Sequence, residues 1–201
     1  MKDPARDVSA PSGAGPYVAM TAIVFAAYVL CHGITALVLT PLQARLFPEV
    51  TVFASLAYLP HGVRVLSIWV WGWRAVPGLM LGAYFSELLF TPEAASNITE
   101  PVLFFSILVG ALSALIGFEA LRIAGIVDRA GRGRRVRWHR ILLVGLVTSV
   151  LNSLGQSFVF SGQIAPVNWG PVMAVYAFGD LVGLCLVALA LVLLRRVFQN
   201  R

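Results

Sequence analysis

Apolar residues along this chain come in long unbroken runs separated by short polar stretches, and the runs show no period-two alternation. Six segments stand out: Tyr17–Leu39, Thr51–Trp71, Val76–Phe90, Val102–Ile123, Ile141–Phe160 and Val172–Leu194. Most reach the ~20 residues needed to cross a hydrocarbon core about 30 Å thick. Lipid cannot satisfy exposed peptide groups, so a run that crosses it must be helical. The pattern therefore predicts an all-α integral membrane protein, with about six transmembrane helices in one bundle over residues 17–197. Val76–Phe90 is short for a span and needs a thinned bilayer, residues from its flanks, or cover by neighbouring helices. Residues 1–16 read as a flexible cytoplasmic tail. Tyr17–Leu39 is too long for a signal-peptide core and is expected to be retained.

Composition narrows the class. Of 201 residues, 59% are hydrophobic and 12% charged, against roughly 45–50% and about 25% in soluble domains. That excludes a soluble enzyme, a disordered tail and a disulfide-stapled secreted domain. The long runs likewise exclude an outer-membrane barrel. Cys31 and Cys185 sit inside apolar runs and read as packed thiols rather than a bridge or a metal site.

The net charge of +6 comes from a basic set in which 14 of 15 residues are Arg. These residues fix an orientation. Seven of them, from Arg122 to Arg140, crowd the link between the fourth and fifth runs; Arg195, Arg196 and Arg201 follow the sixth; Arg74 lies between the second and third; Lys2 and Arg6 precede the first. With six spans all of these fall on one side, and the positive-inside rule then makes both termini cytoplasmic. Trp69, Trp71, Trp73 and Trp138 would form an inner aromatic belt, with Trp169 at the outer face. The Arg-rich loop 124–140 anchors this topology. It also offers a surface to anionic headgroups or to a protein partner at Arg129–Arg140; a nucleic-acid partner is not expected.

Ionisable residues inside spans are expensive and usually face the bundle interior, so they are the best pointers to function. They are His32, His61, Arg64, Glu87, Glu119 and Asp180. At ~1.5 Å per helical residue, Asp180 lies roughly 12 Å from the outer face, and Glu87, His61 and Arg64 lie roughly 16, 15 and 11 Å from the inner one. Glu119 sits near the inner boundary, three residues before Arg122, as an interfacial pair. Arg64 either pairs with Asp180 or Glu87 to fix packing, or belongs with them to a ligand or proton site. Asn152 and Gln156, four apart on one face, either bond between helices or line the same cavity.

Around His61 the chain reads Leu59-Pro60-His61-Gly62-Val63-Arg64. Pro60 removes a backbone donor and Gly62 loosens the next turn, which predicts a second helix broken at Pro60-His61-Gly62. A break places a helix N-terminus, with its partial positive charge and free N–H groups, inside the membrane. The small-residue series Gly78/Gly82/Ser86, Ser113/Gly117 and Gly179/Gly183 marks faces where helices approach closely.

Two stretches together carry a resemblance. Leu59–Leu66 followed by Gly72-Trp73-Arg74-Ala75-Val76-Pro77-Gly78-Leu79-Met80-Leu81-Gly82, and later Phe178-Gly179-Asp180-Leu181-Val182-Gly183, resemble the first membrane-associated sensor domain family of bacteria. The matching positions are Pro60, Gly62, Gly179, Asp180 and Gly183. The resemblance implies a sensory input module of the bacterial inner membrane. Family members usually have about eight spans and a fused output enzyme, and Arg64 departs from their pattern. With no output domain after Arg201, signalling is expected to run through a separate partner.

The resulting expectation is a non-enzymatic sensory or ligand-binding module for a small polar molecule or ion, without cofactor or metal. Its binding residues are expected to be His61, Arg64, Glu87, Asp180, Gly62, Gly179, Asn152 and Gln156. The alternatives are a substrate-binding component of a transporter and a structural or assembly subunit of a larger membrane complex. No Gly-x-Ser-x-Gly or His-Glu-x-x-His motif occurs, and Ser149 and Ser153 have no base at a defined spacing.

Overall fold

A computed structural model describes residues 14–46, 55–90, 100–131, 136–159 and 169–199. Helix α1 covers Ala14–Ile34 and continues through a π-helical turn, Thr35–Leu39, into α2, Thr40–Leu46. Helix α3 covers Leu59–Trp71 and is joined by a 3₁₀ turn, Gly72–Ala75, to α4, Val76–Phe90. Helices α5, α6 and α7 cover Glu100–Ile123, Trp138–Val159 and Trp169–Gln199. No strand occurs among the described residues.

Among the described residues, four helices are long and apolar enough to cross a membrane, not six: Ala14–Leu46, Pro101–Ile123, Trp138–Val159 and Ala174–Phe198. The stretches expected as the second and third spans form helices of 13 and 15 residues, about 20 and 22 Å long. The second is not a helix broken at Pro60-His61-Gly62 either. Residues 55–58 are non-helical, α3 begins at Leu59, and all three of those residues belong to its first turn. Proline is suited to this place, because a first-turn N–H has no intrahelical partner to lose. One boundary also moves. Residues 14–16, expected in the tail, are helical; residues 1–13 of that tail and 132–135 of the Arg-rich loop lie outside the described residues.

Helix α3 is tolerated because the other helices enclose it, whereas α4 keeps an outward apolar face that includes Leu81, Leu88 and Leu89. From Leu59 to Ile68 every residue of α3 is buried, with α7, α1, α5 and α6 packed around it. Small residues set these approaches. A Cβ on Gly62 would lie 2.9 Å from Val187 Cβ, and one on Gly78 would lie 2.9 Å from the Thr21 carbonyl. One on Gly117 would meet Thr148 Oγ1 at 2.9 Å. Buried residues recur every three or four positions along α5 and α7, while Val18, Ile23, Leu30, Leu37, Leu189 and Leu193 turn outward, each at least half exposed. Apolar outer faces on long apolar helices are the marks of a multi-pass membrane protein.

The basic segments gather at one end of the bundle. Trp69 Nε1 donates to the Asp128 carbonyl at 3.0 Å, and the Ala130 amide donates to the Trp69 carbonyl at 3.1 Å. These bonds tie the α3–α4 turn to the loop after α5. Gly72 closes α3 at φ 61°, in the left-handed region that favours glycine, and the Arg129 guanidinium lies against it. Glu119 pairs with Arg122 at 2.6 Å, as its spacing suggested, and also with Arg129 at 2.7 Å. Arg195 of α7 lines a groove at this end together with Trp69, Arg137 and Arg140. The first turns of α4 pack on the early part of α1, so the N-terminal end of α1 lies here too.

Candidate ligand-binding site

The site is built on the way the chain enters α3. Residues 55–58 form a bent, non-helical segment among helices, and amides shielded from water must find protein partners. They do. Leu56 N–H donates to Gln43 Oε1 at 2.6 Å, Tyr58 N–H to the Gly179 carbonyl at 3.0 Å, and Leu59 N–H to Thr35 Oγ1 at 3.3 Å. Thr35 Oγ1 in turn donates to the Cys31 carbonyl at 3.0 Å. The entry segment lies directly on α7: a Cβ on Gly179 would collide with the Ser55 carbonyl, and one on Gly183 with that of Tyr58. The Gly-Asp-x-x-Gly series is thus a seat for this non-helical segment, with Asp180 set beside it.

Asp180 is anchored from behind. Ser149 Oγ, fully buried on α6, donates to Asp180 Oδ2 at 2.5 Å. His61 Nδ1 lies 3.3 Å from the same oxygen, within ion-pair distance but without hydrogen-bond alignment. His61 Nε2 is 3.1 Å from the Gly145 carbonyl. A carbonyl only accepts, so Nε2 carries the proton. Here the carboxylate stands between hydroxyl and imidazole, whereas an acyl-transfer triad places the imidazole between the other two.

Arg64 faces the same region from the next turn of α3. Its Nη2 donates to Tyr28 Oη at 2.7 Å, and its Cζ lies 5.5 Å and 5.8 Å from the ring centroids of Tyr28 and Tyr58. Such faces partly compensate a desolvated cation. Gly110 on α5 makes room for the guanidinium, since a Cβ there would sit 2.8 Å from Nη2. No carboxylate among the described residues lies within 4.0 Å of it, so neither expected ion pair, with Asp180 or with Glu87, forms by direct contact.

Between these groups is a cavity of about 260 Å³. Its wall takes Tyr28 from α1, Ser55 and Tyr58 from the entry segment, Arg64 from α3, Ala83 and Glu87 from α4, Ser106 and Ile107 from α5, Asn152, Ser153 and Gln156 from α6, and Tyr176 and Asp180 from α7. Of the residues singled out in the sequence, Arg64, Glu87, Asp180, Asn152 and Gln156 meet here. Gln156 Nε2 donates to the Ser106 carbonyl at 3.0 Å and reaches Asn152 Oδ1 at 3.5 Å, while Gln156 Oε1 is buried without a hydrogen-bond partner.

His61, Gly62 and Gly179 stand behind the wall: His61 Nδ1 lies beside Asp180, and the two glycines admit neighbouring backbone. His32 is not part of the wall but packs behind it, its ring 5.8 Å from Phe90, 6.2 Å from Tyr58 and 6.3 Å from Tyr28. The tyrosines are the residues that sequence reasoning missed. A signal existed for one of them, since Tyr176 precedes Asp180 by four positions and shares its helix face. Comparisons with family models, curated proteins and solved structures find no match to this chain.

Proposed function

We propose that this protein is a membrane-embedded, non-enzymatic module that binds a small polar molecule or ion in the α3 entry cavity and passes the event to a separate partner. The observation that carries this reading is the convergence of Arg64, Glu87, Asp180, Asn152 and Gln156 on one cavity among long apolar helices. Ionisable side chains inside a membrane bundle are costly, which makes them pointers to a functional site. The resemblance to bacterial membrane-associated sensor domains supports the sensory reading and a place in the inner membrane. The gathering of basic segments at one end supports cytoplasmic termini under the positive-inside rule. At that end Arg129, Arg137, Arg140 and Arg195 edge a groove of about 790 Å³ with an apolar floor, which suits an acidic face on a protein partner.

Binding can report to that groove only if the ligand favours one of two bundle arrangements. Helix α3 is the direct connection, with Arg64 in the cavity and Val65 and Trp69 in the groove. A substrate-binding component of a transporter would use the same cavity, and uptake of labelled solute into vesicles distinguishes it. The test of binding uses the full chain in lipid nanodiscs, unfolded thermally against amino acids, carboxylates, amines, polyols and inorganic ions. One class should raise the midpoint saturably, and Asn152→Leu with Gln156→Leu should abolish that rise. No saturable rise from any class, or one that survives the double substitution, contradicts the proposal.

A further inference from the structure

We infer that the ligand is a small zwitterion of amino-acid type, its carboxylate received by Arg64 and its ammonium by Asp180. This rests on the cavity being a ligand site, as proposed above, and adds the ligand's chemical class.

The guanidinium supplies the first half. Nη2 has one bond, to Tyr28 Oη, and the other donors have no partner among the described residues. None of them is among the atoms sealed away without a partner, so the small exposure that Arg64 keeps, 8%, belongs to the cavity it lines. A planar fork of N–H donors matches a carboxylate. Aromatic faces hold the cation in place and contribute no counter-charge of their own.

Asp180 supplies the second half. Oδ2 is committed to Ser149 and faces His61 Nδ1. Oδ1 has no partner among the described residues and is not sealed away, while Asp180 lines the cavity at 6% exposure. That oxygen is an acceptor fixed from behind and presented inward.

Charge balance then selects the class. A simple anion drawn to Arg64 would also meet the carboxyl groups of Asp180 and Glu87, and a simple cation drawn to Asp180 would meet Arg64. A ligand with separated charges and no net charge satisfies both walls. Size sets the limit: at ~30 Å³ per water-sized group the cavity holds about nine non-hydrogen atoms.

The test is titration calorimetry on the full chain in nanodiscs. The probes are glycine, L-alanine, L-serine and L-asparagine, with propionate, ethylamine and glycerol as partial mimics. At least one zwitterion should bind saturably, and each partial mimic at least tenfold more weakly. Arg64→Gln should weaken the zwitterion at least tenfold, and Arg64→Lys, which keeps the charge and loses the fork, should weaken it less. Thermal unfolding of both variants checks that they fold. If a partial mimic binds as tightly as every zwitterion, or if a folded Arg64→Gln protein binds the zwitterion unchanged, the inference is overturned while the cavity remains a ligand site. If no probe binds, the inference fails, and the wider panel above decides separately whether the cavity binds anything.

Discussion

Gly183 shows how much one methyl group decides here. Its missing side chain is filled by the Tyr58 carbonyl, so Gly183→Ala must push the α3 entry segment off α7. Overpacking of this kind costs about 1–3 kcal/mol. Gly183→Ala should therefore lower the thermal midpoint of the purified protein by several degrees. Gly15→Ala, where a Cβ meets nothing within 4 Å, should leave it unchanged or raise it; equal effects would contradict the seat. The sequence showed this position as one of a pair of glycines suited to close helix contact. It did not show that the partner is non-helical backbone, because helical spacing identifies a face and not what lies against it. Asp180 was legible as a buried charge for which a partner had to exist. Ser149 was not legible as that partner, since only the tertiary packing of α6 on α7 brings them together.

At the scale of elements, the decisive feature is the start of α3. Pro60 and Gly62 announced a disturbance in an apolar run, and a helix N-terminus does lie in the interior. The disturbance is a beginning rather than a break, because residues 55–58 are non-helical and the amides of Leu56, Tyr58 and Leu59 bond to Gln43, Gly179 and Thr35. Thr35 acts here as a cap supplied from another helix. Thr35→Val keeps the shape and removes the acceptor. By analogy with loss of a helix cap it should cost about 0.5–2 kcal/mol. Hydrogen exchange at the Leu59 amide should rise accordingly, with the amides of α6 unaffected. Exchange at Leu59 no faster than in the parent protein would show that the hydroxyl does not hold this end.

Across the whole molecule, the pattern of apolar runs identified the membrane class and most helix positions, and it overcounted the helices long enough to span. Hydropathy registers apolar character whether it faces lipid or protein, so it does not separate α3, enclosed by four other helices, from a lipid-facing span. The runs of α5, α6 and α7 were legible because their outward faces stay apolar along their length. Five of the residues marked by charge or amide character do converge on one cavity. The tyrosines that complete its wall look like ordinary interface residues in the sequence, and their role appears only where seven parts of the chain meet.

The central claim is that a polar, accessible cavity lies inside this apolar bundle. Site-directed thiol modification tests it most directly, in the full chain with Cys31→Ser and Cys185→Ser, reconstituted in lipid. Asn152 lines the cavity, whereas Leu154, two residues along α6, turns outward and is 45% exposed on the lipid-facing side. Asn152→Cys should react with a small charged thiosulfonate, slowed by any ligand that binds, and Leu154→Cys should resist it. Equal rates at the two positions, or reaction at Leu154→Cys alone, would contradict the account.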